Sequence, residues 1–308
     1  MPLTFNSLHP LFAAEVSAID LRNVHDSATL EQIRSGMDQY GVLVFRNQPF
    51  KDAEQIDFAQ RFDGILHART STAVLTPNRF GNEALSDISN VGANGEILPP
   101  NDRRRVSSLA NRLWHTDASF VDPPGRYSML STRVIPPVSA DTEFADMRGA
   151  YDALDEETKA SLEGLQVHHS IAYSRETLGF EFAAEEKDKL KGAVQPLVRT
   201  MGNGGNGGNG GNGRRSLYLA SHASHIIGWQ VPEGRLLLRD LMEHATQREF
   251  VYRHAWRDGD FVIWDNRTTM HRGRPFDDKQ HRRELRRTTT LDIPLPQTRE
   301  IPAVRAAA

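Results

Sequence analysis

The chain of 308 residues contains no cysteine. That excludes disulfides, thiolate metal sites and cysteine nucleophiles, and it fits a reducing compartment. Long apolar runs are missing as well. No stretch approaches the roughly 18 residues of a membrane-spanning helix. The opening MPLTFNSLHPLFAAEV has neither the basic flank nor the apolar centre of a secretory signal. A soluble, cytoplasmic protein is therefore expected. Charge of one sign is also scarce: 37 Lys and Arg against 40 Asp and Glu leave a formal net charge of -3. Nothing draws the whole chain to nucleic acid or to a membrane surface. Basic residues cluster only locally, at 103–105 and at 282–287.

What is present alternates between helical and extended patterns. Leu30, Ile33, Met37 and Tyr40 fall at helical spacing behind Asp26 and Ser27, either of which can cap. GVLVFR at 41–46 reads as a buried strand, and a second helix is expected over 52–62. Residues 66–110 read as irregular and polar, the kind of long loop that carries function or is disordered. RYSMLSTRVI at 126–135 reads as a strand stopped by Pro136 and Pro137, followed by a helix over 148–165. FVYRHAWR and DFVIWDN flank Asp258-Gly259, which reads as a hairpin. A further strand is expected over 284–291. Strands at both ends with helices between them indicate an α+β fold with a sheet or barrel core, and the 308 residues are read as one domain.

Residues 202–213, GNGGNGGNGGNG, hold no apolar side chain. Such a tract cannot offset its ordering entropy by burial, so a flexible loop is expected between the flanking strands LVRT and SLYLA.

The chemistry centres on LWHTDASF at 113–120. In an extended segment, side chains two apart share a face, so His115 and Asp117 converge. His271, in WDNRTTMHRGR, follows the apolar strand 261–264 by a short loop and supplies a third ligand. Two imidazoles and a carboxylate on one side of an ion leave three positions open, the arrangement of Fe(II) oxygenases. An isolated H-x-D also recurs by chance, and His222 and His225 are rival ligands. The segment RRELRR at 282–287 adds a second signal. On a strand, Arg283, Leu285 and Arg287 face one way and Arg282, Glu284 and Arg286 the other. Two inward guanidiniums are costly unless they meet anions, and their forks match carboxylates.

Taken in order, LHPLFAAEVSAIDLR, GVLVFRNQP, SDISNV, LWHTDASF, ADTEFADMRGAYDAL, EHATQREFVYRH, WDNRTTMHRGR and RRELRRTTTLD resemble the taurine dioxygenase / 2,4-dichlorophenoxyacetate dioxygenase family. Those enzymes depend on Fe(II) and 2-oxoglutarate, and the resemblance is greatest to the phenoxyacetate branch. It implies a double-stranded β-helix, or jelly-roll, with helices packed outside. It implies His115, Asp117 and His271 as iron ligands, and Thr142 and Arg283 as partners of the distal carboxylate of 2-oxoglutarate. It implies Arg287 near the metal-bound end of that co-substrate or the anionic group of the substrate. Asn111 and His222 match positions beside the pocket. The spacing from His271 leaves Arg282 and Arg286 as the competing register; anchoring on RRELRR selects Arg283 and Arg287, because a strand cannot slip by one residue without inverting its faces.

The implied reaction is oxidation of a small anionic substrate by O2, releasing succinate and CO2, with ether cleavage where the substrate is an aryloxyalkanoate. The alternatives are the same chemistry on a sulfonate or an amino-acid-derived acid and, more remotely, a zinc hydrolase or a non-catalytic jelly-roll binding protein. A homo-oligomer is compatible with the sequence. One departure concerns the substrate: Met201 stands after LVRT where the phenoxyacetate branch tends to carry histidine.

Overall fold

Two β-sheets form the centre of the protein, and the alternation of side chains along their strands decides what lies on each face. The structure, a computed structural model, describes residues 2–68, 79–201 and 213–293. The larger sheet has seven strands in the order Phe5–Ser7, Ala14–Val16, Val42–Phe45, Phe261–Asp265, Gly125–Val134, Glu284–Leu291 and Ser86–Ser89. The smaller sheet orders Val251–His254, Thr142–Asp146 and Thr269–Gly273. In the larger sheet Val42, Val44, Leu130, Val262, Trp264 and Leu285 point inward and pack on Phe144 of the smaller sheet. The intervening Leu43, Phe45, Met129, Phe261 and Ile263 point outward. Both faces of this sheet are apolar because both are covered. The architecture is the expected α+β jelly-roll.

Helices Ser27–Tyr40 and Asp52–Asp63 cover the outward face through Leu30, Ile33, Met37, Phe58, Ala59 and Phe62. Asp26 caps the first helix by accepting from the Thr29 N–H at 2.8 Å, and Gly41 ends it with φ 68°. The outer face of the smaller sheet is covered by helices Met147–Asp152 and Val231–Ala245, with Ala145, Met147, Met270, Leu238 and Leu241 in one cluster.

Three expectations need correction. Asp258-Gly259 is not a hairpin. Val251–His254 pairs only within the smaller sheet, while Phe261–Asp265 lies between two strands of the larger one. The dipeptide is a corner between sheets. Gly259 takes φ +76°, donates its N–H to Thr132 Oγ1 at 2.9 Å and lies close to Asn47. The pair signalled a positive φ correctly, but all five residues of the following strand are buried and need two new neighbours. The helix expected over 148–165 is two short helices, because Asp155 caps a fresh start at Glu156–Leu162 through the Thr158 N–H. Within 66–110 the described residues include an edge strand, Ser86–Ser89, paired with 284–287, and a helix, Arg103–Ser108. Residues 69–78 lie outside the described residues.

Val198–Thr200 and Arg215–Leu217 pair as antiparallel strands on either side of the Gly-Asn tract. The loop expected at 202–213 falls, except for Gly213, outside the described residues.

Candidate metal centre

His271 sits in the strand Thr269–Gly273, and His115 extends the same sheet by one residue. Their backbones exchange both hydrogen bonds, at 3.0 and 2.8 Å, which sets the two imidazoles side by side with ring centroids 4.2 Å apart. Two residues on, the chain turns: Ala118 has φ 56°, and the Asp117 N–H is held by Asn266 Oδ1 at 3.1 Å. The Asp117 carboxylate thereby meets both rings, at 4.0 Å from His115 Nε2 and 3.7 Å from His271 Nε2. One ligand atom from each residue lies within 4.8 Å of the others. All three side chains are buried.

The electronic state suits a cation. His115 Nδ1 is 2.8 Å from the Leu113 carbonyl, which accepts its proton and leaves Nε2 as a lone pair. Burial holds His115 below the ordinary imidazole range, and burial and then His115 hold His271 well below it. Burial pushes the Asp117 carboxyl up, but Arg287 and the two imidazoles outweigh it, so its pKa lies below the ordinary value. Ser128 Oγ donates to Asp117 Oδ2 at 2.8 Å, and Arg287 pairs with Oδ1. Ser128 in turn accepts from Asn266 Nδ2 at 3.0 Å. The His271 ring is wedged by Phe144 and Trp264, while its Nδ1 has no partner among the described residues. Two neutral nitrogens and one carboxylate oxygen, preset on one side, fit a divalent metal with open positions.

One cavity is lined by His115 and His271 together with Asn111, Thr142, Arg283 and Arg287. Thr142 opens the strand Thr142–Asp146, and its Oγ1 accepts from Trp256 Nε1 at 3.0 Å, so its own proton is free to be donated. Arg283 lies at the rim of the strand Glu284–Leu291. Its Nε has no partner among the described residues, and burial lowers the guanidinium to about 10 despite the opposing effect of Asp141. The alternative register does not reach this cavity. Arg282 binds Glu284, and Arg286 binds Asp87 and Glu284 on the far face.

His222 is buried with its ring 5.9 Å from that of His115, but its Nδ1 bonds Ser174 Oγ at 2.9 Å and it is not one of the three clustered ligands. His225 bonds Ser224 and packs on His168, away from the centre. The basic run at 103–105 is tied up internally: Arg105 pairs with Asp278 and Arg103 with Glu186. Met201 is buried. The sequence did not single out Trp256, Asn266 or Ser128, whose roles depend on long-range neighbours rather than on a local pattern.

Residues 4–289 match the model of the Taurine catabolism dioxygenase TauD, TfdA family. The chain belongs to that family. It is 47% identical over 294 residues to an alpha-ketoglutarate-dependent 2,4-dichlorophenoxyacetate dioxygenase of Cupriavidus pinatubonensis, covering 95% of this chain and 99% of that one. It is 33% identical to an (S)-phenoxypropionate/alpha-ketoglutarate-dioxygenase of Sphingobium herbicidovorans, covering 89% and 90%. The crystal structure of AAD-2 in complex with Mn(II) and N-oxalylglycine superposes with a TM-score of 0.86 at 44% identity, covering 94% of this chain and 98% of that one. The protein is a 2-oxoglutarate-dependent non-haem iron dioxygenase, with Fe(II), 2-oxoglutarate and O2 as its reactive partners. Among the described residues no helix is long and apolar enough to cross a membrane.

Proposed function

We propose that the chain is one catalytic domain that hydroxylates the carbon beside the ether oxygen of a small aryloxyalkanoate. The observation that carries this reading is the pocket itself. A guanidinium that makes no ion pair among the described residues, Arg283, and a donating hydroxyl, Thr142, open onto the same cavity as His115 and His271.

In this reading His115, Asp117 and His271 hold the iron. Thr142 and Arg283 clamp the distal carboxylate of 2-oxoglutarate and fix its orientation. Arg287, already joined to Asp117, presents positive charge to the anionic end of a bound acid. Asn111 and His222 border the substrate side. The iron supplies the activation of O2 that couples decarboxylation of 2-oxoglutarate to oxidation of a C–H bond. The buried, largely apolar walls around His271 exclude water from that step. With phenoxyacetate, one oxygen atom enters the methylene carbon and the other enters succinate. The resulting hemiacetal breaks its ether C–O bond to give phenol and glyoxylate.

The relatives act on phenoxyacetates and phenoxypropionates, and an alkylsulfatase of Acinetobacter baylyi is also 30% identical over 270 residues. Buried Met201 favours keeping sulfonate and amino-acid-derived acids in the test. A panel of aryloxyalkanoates, alkyl sulfates, sulfonates and amino acids, each with Fe(II), 2-oxoglutarate and air, is scored for succinate. Phenoxyacetate is expected to give succinate and phenol in equal amounts. Succinate coupled only to the non-aromatic acids overturns the proposal. As for assembly, the reading requires neither nucleic acid nor membrane.

A further inference from the structure

Seven arginines are buried among the described residues: Arg105, Arg126, Arg148, Arg175, Arg267, Arg286 and Arg287. Six of them ion-pair, with Asp278, Asp63, Asp146, Asp265, Asp87 and Asp117 respectively, once Arg175 is set aside. Arg175 has no carboxylate partner among the described residues. Its side chain is only 4% exposed. Nη1 donates to Ser174 Oγ at 2.9 Å, Nη2 reaches Asn111 Oδ1 at a long 3.5 Å, and Nε has no partner among the described residues. A buried cation held by two neutral oxygens is costly, and among the described residues only the more distant charge of Asp117, already paired with Arg287, offsets it.

Its position is specific. Ser174, on the same short helix Ile171–Glu176, also holds His222, whose ring lies against both His115 and Phe120. Asn111, the weak acceptor of Nη2, lines the cavity of the metal centre. Phe120, Ile171, Ala172, Phe182 and Leu190 form a separate apolar cluster, to which the helix of Arg175 contributes Ile171 and Ala172. Cation and apolar surface together match an organic acid with a hydrophobic body. The charges agree. Arg175 and Arg287 lie near the same buried carboxylate, Asp117, which Arg287 already engages, while Arg283 is offset by Asp141.

We propose that Arg175 anchors the carboxylate of the organic substrate, which takes the place of the long contact to Asn111 Oδ1. The proposal rests on the function proposed above and names a residue for its substrate. Arg283 and Thr142 serve 2-oxoglutarate; Arg175 serves the acid to be oxidised, with the aromatic body against Phe120.

The test compares wild type with Arg175→Gln and Arg175→Lys, using phenoxyacetate and its uncharged analogue phenoxyacetamide. Binding is read by calorimetry on the Fe(II)- and 2-oxoglutarate-loaded protein without oxygen, and turnover by phenol release. Variants are compared only where the Kd for 2-oxoglutarate stays within about twofold of wild type, which shows an intact fold and centre. Arg175→Gln is expected to weaken phenoxyacetate binding by about 30-fold or more, the range for a buried charge pair losing one partner. It should leave phenoxyacetamide unchanged, and Arg175→Lys should recover part of the loss. An unaltered preference for acid over amide in Arg175→Gln overturns the role of Arg175. A wild-type protein that neither binds phenoxyacetate nor releases phenol overturns the proposed function as well.

Discussion

The indole N–H of Trp256 donates to the hydroxyl of Thr142 at 3.0 Å. Trp256 is itself fixed edge-on by His254, with ring centroids 4.6 Å apart, and His254 Nε2 is bonded to Asp260. The chain of contacts occupies an acceptor site of the threonine hydroxyl and leaves its proton free to be donated. Asp260 also begins the return from the smaller to the larger sheet, so the corner at Gly259 and the co-substrate clamp are parts of one construction.

Replacing Trp256 with Phe removes the donor while keeping most of the ring. One neutral hydrogen bond contributes about 0.5–1.5 kcal/mol, so the KM for 2-oxoglutarate should rise roughly three- to tenfold. The KM for the organic substrate should hardly move. Steady-state kinetics with each substrate varied in turn checks this; an equal rise in both would show that Trp256 supports the whole pocket rather than Thr142.

Arg283 carries more. Its guanidinium lines the cavity with Nε unbonded among the described residues, and a charge-assisted bidentate contact is worth more than a neutral bond. Arg283→Ala should raise the 2-oxoglutarate requirement by about two orders of magnitude, far more than that for the organic acid. The reverse pattern would assign the two arginines of this strand the other way round.

Local periodicity revealed the frame. The helical spacing of Leu30, Ile33 and Met37, the apolar run at 42–45 and the alternation in RRELRR each express a rule that acts within a few residues. Strand alternation put Arg283 and Arg287 on one face; that this face is the inward one came from anchoring RRELRR on the family pattern, and both residues line the cavity. His115, Asp117 and His271 were candidates by spacing, but their convergence required a backbone bridge between residues 156 positions apart, which no local pattern encodes. The Asp258-Gly259 corner misled because a positive-φ glycine marks a turn without saying which sheet receives the next strand. Trp256 and Arg175 were silent for a related reason: an indole or a guanidinium is legible in a sequence only as buried or exposed, and its meaning here comes from the partner it has or lacks.

His115→Ala takes away one ligand and leaves Asp117 beside a cavity. Iron binding, measured by metal content after gel filtration, and succinate formation should both be lost. The fold should persist, because the backbone bridge to His271 does not need the imidazole. Undiminished 2-oxoglutarate consumption in this variant would refute the ligand set.

A pH effect on stability is expected away from the centre. Burial, with Asp265 second, raises the Asp38 carboxyl to about 6. Its value in the unfolded chain is the ordinary one, about 3.9. Between those two values the folded state binds more protons than the unfolded state, so this group makes stability fall as pH rises from about 4 to about 6 and contributes no further slope above that. Asp38→Asn cannot ionise and removes this component. Urea midpoints at pH 5 and pH 7.5 should therefore differ less in the direction of acid stabilisation for the variant than for the wild type, with the variant gaining relative stability at the higher pH. A variant whose midpoints track the wild type at both values would show that Asp38 titrates as it does in the unfolded chain.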